Sequence, residues 1–220
     1  EIVIERIPAT LALTIPALIL KLAIGLPAGV LAALYRGSWI DRTVMIATVA
    51  GFTVPSFVLG LVLVLIFSVE LGWLPSGGED SWRHAILPVV TLGISGAAVL
   101  ARFTRSAMLE VIGQPYIRTA SAKGLIWRHV VTGHALPNAA IPTVTIIGFM
   151  IGSLIAGAVV VESVFSWPGV GRLLVVAVAN RDLAVVQCIL LLVAATMVVS
   201  NLVVDFLYGF LDPRLRTSRA

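Results

Sequence analysis

The sequence holds one cysteine, Cys188, and little charge of either sign. Asp, Glu, Lys and Arg make up 12% of its 220 residues, about half the share usual in a globular chain. A single cysteine excludes an intrachain disulfide and any thiolate-built metal site. The three histidines, His84, His129 and His134, lack metal-ligand spacing. No Gly-x4-Gly-Lys-Ser/Thr loop occurs, so the chain lacks that phosphate cradle. Gly169-Val170-Gly171 is no substitute, because it has neither the preceding strand nor the third glycine of a dinucleotide loop. No basic run carries interleaved aromatics, which argues against nucleic acid despite a formal net charge of +4. Internal repeats, low-complexity tracts and linkers are absent, so residues 1–220 read as one domain. The chain starts at Glu1 with no initiator Met, basic n-region or cleavage site. No signal peptide is expected, and the start reads as a processed or truncated end.

What is present is apolar sequence. Hydrophobic residues are 59% and the mean hydropathy is +1.06, more than a soluble domain of this length can bury. A bilayer core needs about 20 apolar residues in a helix. Five stretches meet or approach that length: Ala9 to Tyr35, Val44 to Leu71, Ile86 to Ala101, Ile141 to Val161, and Val185 to Leu211. The third is short and runs into Arg102 and Arg105, whose side chains can snorkel to the headgroups. The expected fold is all-α, a polytopic bundle of five spans. Gly and Pro within the spans fit close packing or hinges.

Orientation follows from lysine and arginine in short loops. One side collects ten: Arg36, Arg42, Arg102, Arg105, Arg118, Lys123, Arg128, Arg214, Arg216 and Arg219. The other collects four, Arg6, Arg83, Arg172 and Arg181, with most of the acids. The first side is expected to be cytoplasmic, with the N-terminus outside and the C-terminus inside.

The most informative stretch is 102–140, between spans three and four. Pro115 can start a helix, since its missing N–H would be unpaired there anyway, and Gly124 can end it. A second helical piece, about Ile126 to Ala135, leads to Leu136-Pro137. Small side chains at Ala120, Ser121 and Ala122 permit close approach of another surface, and Arg118, Lys123 and Arg128 form a cationic rim. Docking to a protein and contact with anionic headgroups both fit these residues.

Tyr116-Ile117-Arg118-Thr119-Ala120-Ser121-Ala122-Lys123-Gly124-Leu125, with Leu136-Pro137 beyond it, resembles the cytoplasmic motif of type I ABC importer permeases. That motif reads Glu-Ala-Ala, three residues, Gly, nine residues, Ile, one residue, Leu-Pro. Ala120, Gly124, Leu136 and Pro137 match literally, whereas Arg118 replaces the acid and His134 the Ile. Both departures resemble the dipeptide, oligopeptide and nickel branch. So do Glu162-Ser163-Val164-Phe165-Ser166-Trp167-Pro168-Gly169-Val170-Gly171 and the C-terminal Asn201 to Asp205, Tyr208 and Leu211 to Arg216. The resemblance covers nearly the whole chain, from just before the second of the family's usual six spans.

This resemblance implies a permease that forms half of a path for small peptides or nickel. It implies a second permease, two cytoplasmic ATPases that bind the ATP and Mg, and an external substrate-binding protein. The docking surface would be Arg118, Thr119, Ala120, Ser121, Ala122, Lys123, Gly124 and Leu125, with Leu136 and Pro137 fixing the following helix. The chain itself would need no cofactor and catalyse no reaction. The external turn Trp167, Pro168, Gly169 and Gly171 either touches the binding protein or path, or is a rigid turn with an interfacial Trp.

Two charges lie within spans. An unpaired Lys21 near mid-bilayer costs about 3 kcal/mol or more, so it is expected to face a cavity or partner. Asp205 is expected to pair with Arg102 or Arg105 and clamp spans three and five. A secondary transporter or channel subunit is the alternative. It would call for more intramembrane ionisable groups and an internal repeat. A membrane-embedded enzyme would need acids, His or Ser assembled within the spans.

Overall fold

The computed structural model describes residues 1–211, with side chains described through Phe206. Ten α-helices follow one another among these residues, and no strand occurs. They are α1 Ile2–Leu34, α2 Trp39–Thr53, α3 Ser56–Val64, α4 Arg83–Ile112, α5 Pro115–Ala122, α6 Trp127–Val130, α7 Leu136–Gly152, α8 Leu154–Val164, α9 Val170–Ala179 and α10 Leu183–Leu211. Four helical stretches are long and apolar enough to cross a membrane, and α2 with α3 makes a fifth if the bent pair is one span.

The parallel pair α1 and α4 is the spine of the bundle. Gly25 and Gly29 of α1 lie against Ala97, Leu100, Ala101 and Thr104 of α4, while Gly93 and Gly96 of α4 lie against Leu20 and Lys21. A Cβ at any of these glycines would meet the facing helix, so the missing side chains set the interaxial approach. Such small-residue seams replace the hydrophobic drive, which is weak between helices in lipid. Two core threonines satisfy their hydroxyls on their own helix: Thr14 donates to Thr10 O at 2.9 Å and Thr91 to Leu87 O at 2.8 Å.

Three expected spans differ from the helices found. The second breaks at Val54-Pro55, where α2 and α3 meet at 97°. Pro55 has no N–H to continue the ladder and holds Val54 in an extended conformation, φ −78° and ψ 117°. The third is not short: α4 continues past Arg102 and Arg105 to Ile112, about 45 Å at 1.5 Å per residue. The fourth divides at Gly152-Ser153, a pair of the kind that kinks helices, into α7 and α8. Conversely, α1 runs through Pro8, Pro16 and Pro27 as one helix. The second helical piece is not separate either. From Trp127 the helix passes through a π turn at Val131–Ala135 directly into α7. That wider turn lies just ahead of Pro137, whose ring would otherwise crowd the carbonyl one turn back.

Candidate functional site: the α5 elbow and the bundle interior

One end of the bundle gathers the C-termini of α1 and α4, then α5 and α6. Gln114 is extended, Pro115 opens α5, and Gly124 closes it at φ +84°. An added Cβ at Gly124 would meet nothing within 4 Å, so glycine is required there for its backbone conformation alone. Ile117 and Ala120, 2% and 8% exposed, insert α5 into a cluster with Ala33, Met108, Val130 and Ala135. One helix face is thus buried in the cluster, with α6 as its main neighbour.

The opposite face is open. Arg118, Thr119, Ser121, Ala122, Lys123, Gly124 and Leu125 are all exposed, and Ile126, Trp127 and Arg128 continue the surface. Thr119 and Ser121 turn their hydroxyls back to Pro115 O and Ile117 O, at 3.1 Å each. Ala120 corrects the expected docking surface: it points into the bundle, at the register that seats α5. Leu136 packs partly against the same cluster while Pro137 is exposed. The result is an elbow buried on one face, with an apolar strip, Leu125, Ile126 and Trp127, bounded by cations on the other.

This elbow lies beside an ion pair that the sequence analysis passed over. Asp41 of α2 is 5% exposed. Its Oδ1 accepts from Arg105 Nε at 2.6 Å and its Oδ2 from Arg105 Nη2 at 2.9 Å. The Gly37 N–H adds a third bond at 2.9 Å. Arg102 instead lies over the Phe52 ring, 5.7 Å from its centroid. The expected clamp to Asp205 is therefore absent: Arg105 is engaged by Asp41, and exposed Asp205 makes no ion pair among the described residues. A signal for Asp41 existed in Ser38-Trp39-Ile40-Asp41, a capping pattern at the start of an apolar run. Ser38 Oγ accepts from the Asp41 N–H at 3.4 Å.

At the other end, the expected external turn is tied inward. Trp167 is 7% exposed, and its indole N–H donates to Ala9 O at 2.8 Å. It is thus a buried wedge, and the interfacial reading is corrected. Behind it lies Glu162, fully buried. Its Oε1 accepts from Thr10 Oγ1 at 2.7 Å, and its Oε2 accepts from the Arg172 N–H at 3.0 Å. The Thr10 hydroxyl in turn accepts from the Val170 N–H at 2.8 Å. The carboxylate thereby takes up orphan donors at the start of α9, where negative charge is favoured. Gly169 and Gly171 leave the space it occupies, since a Cβ on either would meet its oxygens.

Between the ends, Lys21 lines a cavity of about 250 Å³ with residues from α1, α3, α4 and the α7–α8 break. Its stem lies on Gly96, and it makes no ion pair among the described residues.

Residues 25–217 match the family described as binding-protein-dependent transport system inner membrane component. The chain belongs to this family. It is a type I ABC importer permease subunit, a multi-pass protein of the inner membrane. The permease is 48% identical over 212 residues to the glutathione transport system permease protein GsiC of Escherichia coli strain K12, covering 96% of this chain and 69% of that one. The same identity and coverage hold for GsiC of Shigella flexneri serotype 5b. Its fold is that of a chain in the inward-facing MetNI methionine ABC transporter, with a TM-score of 0.79 at 21% identity and 96% of each chain covered. A chain of an amino acid ABC transporter also aligns, at a TM-score of 0.71. The C-terminal block Asp212 to Arg216 of the expected family pattern lies outside the described residues of the permease.

Proposed function

We propose that this permease forms half of an ATP-driven import path for small peptides of the glutathione kind, and that α5 transmits the movement of a separate ATPase to the bundle. The observation that carries this reading is the two-faced seating of α5. Ile117 and Ala120 are buried in a cluster that also holds residues of α1, α4, α6 and α7, while Arg118, Lys123 and the Leu125-Ile126-Trp127 strip are exposed. A helix whose inner face is buried in that cluster cannot shift without disturbing it. A partner that grips the open face therefore moves the bundle.

The basic end belongs in the cytoplasm by the positive-inside rule, which places the α1 start and the Trp167 turn outside. There the substrate-binding protein would deliver cargo. A second permease, a homologue, completes the path, and two ATPases beneath the pair hold the ATP and Mg. The chain supplies passage and coupling and no catalysis. The glutathione permeases among its relatives support the peptide class over nickel.

Reversing charge on the rim, with Arg118→Glu and Lys123→Glu together, is expected to lower ATP-dependent uptake by about tenfold or more, because misplaced charge at an interface costs several kcal/mol. The permease would still fold, since both side chains are exposed. Gly124→Ala adds about 1–2 kcal/mol of left-handed backbone strain and is expected to weaken coupling at unchanged expression. The measurement is uptake and ATP hydrolysis by the complete transporter in proteoliposomes. Uptake that persists in the charge-reversed protein, or proceeds without ATP, would sink the proposal.

A further inference from the structure

The cavity at Lys21 combines features that no packing role requires together. Residues at the breaks of both broken spans line it together with α1 and α4. Ser56 is the first residue of α3 after the Pro55 bend, and Ser153 is the break between α7 and α8. Irregular backbone at membrane depth is tolerated where it lines a cavity, and transporters with discontinuous helices place their cargo sites at such breaks. Two independent breaks converge here on one space of about 250 Å³.

The chemistry of the lining is one-sided. Lys21 brings a positive charge, and the cavity wall contains no Asp or Glu to balance it. Four hydroxyl-bearing residues, Thr14, Ser56, Ser95 and Ser153, line the same space, and three of them already donate along their own helix: Thr14 to Thr10 O at 2.9 Å, Ser95 to Thr91 O at 3.0 Å and Ser153 to Met150 O at 3.1 Å. Their oxygens are left as acceptors. Gly96 provides the groove in which the lysine stem lies, for any Cβ there would displace it. An ammonium in such a place stays charged only with a counter-charge or water near it.

We propose that this cavity is a cargo subsite in which Lys21 receives a carboxylate and the surrounding hydroxyls receive N–H groups. It rests on the import reading above and deepens it. The ligand class is a small zwitterionic molecule with an anionic end, such as a peptide with a free C-terminus. A bare divalent cation is disfavoured, because the only fixed charge in the wall repels it. The subsite sets the polarity of what passes, apart from any selection made before delivery.

The test reads the electrostatics of the cavity without knowledge of the natural cargo. In a Cys188→Ala background, Ser153→Cys is introduced into the complete transporter in membrane vesicles. It is labelled with methanethiosulfonate reagents bearing either a sulfonate or an ammonium. With Lys21 present, the anionic reagent is expected to react about tenfold faster, as focusing by a fixed charge in a cleft raises local counter-ion concentration. Lys21→Met abolishes the preference and Lys21→Arg keeps it. Triglycine at millimolar concentration slows labelling, and triglycine amide does so much less. A thiol that never reacts, equal rates for the two reagents, a ratio unchanged in Lys21→Met, or equal protection by the two peptides would each overturn the assignment. Failure of the coupling proposal would appear elsewhere, as uptake indifferent to ATP or to charge reversal on α5, with the labelling ratio intact.

Discussion

Asp41→Ala is expected to destabilise the permease by about 1.5–3 kcal/mol, the usual worth of hydrogen bonds to a charged group in a partly buried pair. The geometry explains the size. Asp41 is enclosed, and the Arg105 guanidinium meets it in a bidentate fork at 2.6 and 2.9 Å. Removing the carboxylate strands that guanidinium and also deprives the Gly37 N–H of its partner. Arg105→Ala should be comparably harmful, for it leaves the more buried group charged and alone. The double variant Asp41→Leu with Arg105→Met removes both charges and is expected to recover most of the loss. Unfolding titrations of the purified protein in mixed micelles decide the matter. If the double variant is as unstable as the sum of the singles, the two groups do not act as a pair.

Glu162→Ala is expected to cost about 2–6 kcal/mol, from two buried donors left without an acceptor at about 1–3 kcal/mol each. Those donors are the Thr10 hydroxyl and the Arg172 N–H. Glu162→Gln retains the shape and one acceptor oxygen, so one donor is left unpaired instead of two and its cost should be about half as large. The glycines give an independent check. A Cβ at Gly171 would lie 2.5 Å from Val159 Cα and 3.0 Å from Glu162 Oε2. Gly171→Ala should therefore cost about 1–3 kcal/mol through overpacking. The same titrations report both effects. Equal stability of Glu162→Ala and the parent would show that the carboxylate does not hold α1, α8 and α9 together.

Both predictions concern acids to which the sequence assigned no partner. Asp41 was not singled out, and Glu162 was noted as the first residue of a family-like block. Each was marked in retrospect by a local pattern: the Ser38 to Asp41 cap, and an acid embedded in Val159-Val160-Val161 with two glycines soon after. A pattern of this kind does not reveal its partner. Arg105 is 64 residues from Asp41 and Thr10 is 152 from Glu162, and nothing local specifies such distances. The expected Asp205 clamp failed for the same reason. Charges near the same bundle end were matched by depth alone, whereas rotation of α4 about its axis directs Arg105 to α2.

The α5 elbow was more legible. Proline at a helix start and glycine at φ +84° are constraints on backbone that a residue carries wherever it sits. The start and stop of α5 therefore followed from the chain. Which face is buried did not: Ala120 was expected on the docking surface, and only the burial of Ile117 and Ala120 in the cluster beside α6 decides it.

The sequence by itself determined that the chain lives in lipid, that it is all-helical, how its charge divides between two ends, and where a glycine-closed elbow must lie. These depend on hydropathy and local backbone chemistry, which act over a few residues. Only the tertiary structure decided that two spans are broken, that the turn at Trp167 is locked inward, and that Lys21 opens on a shared cavity. Those outcomes arise where distant helices meet, from side-chain volumes and hydrogen-bond partners that one segment cannot supply to itself.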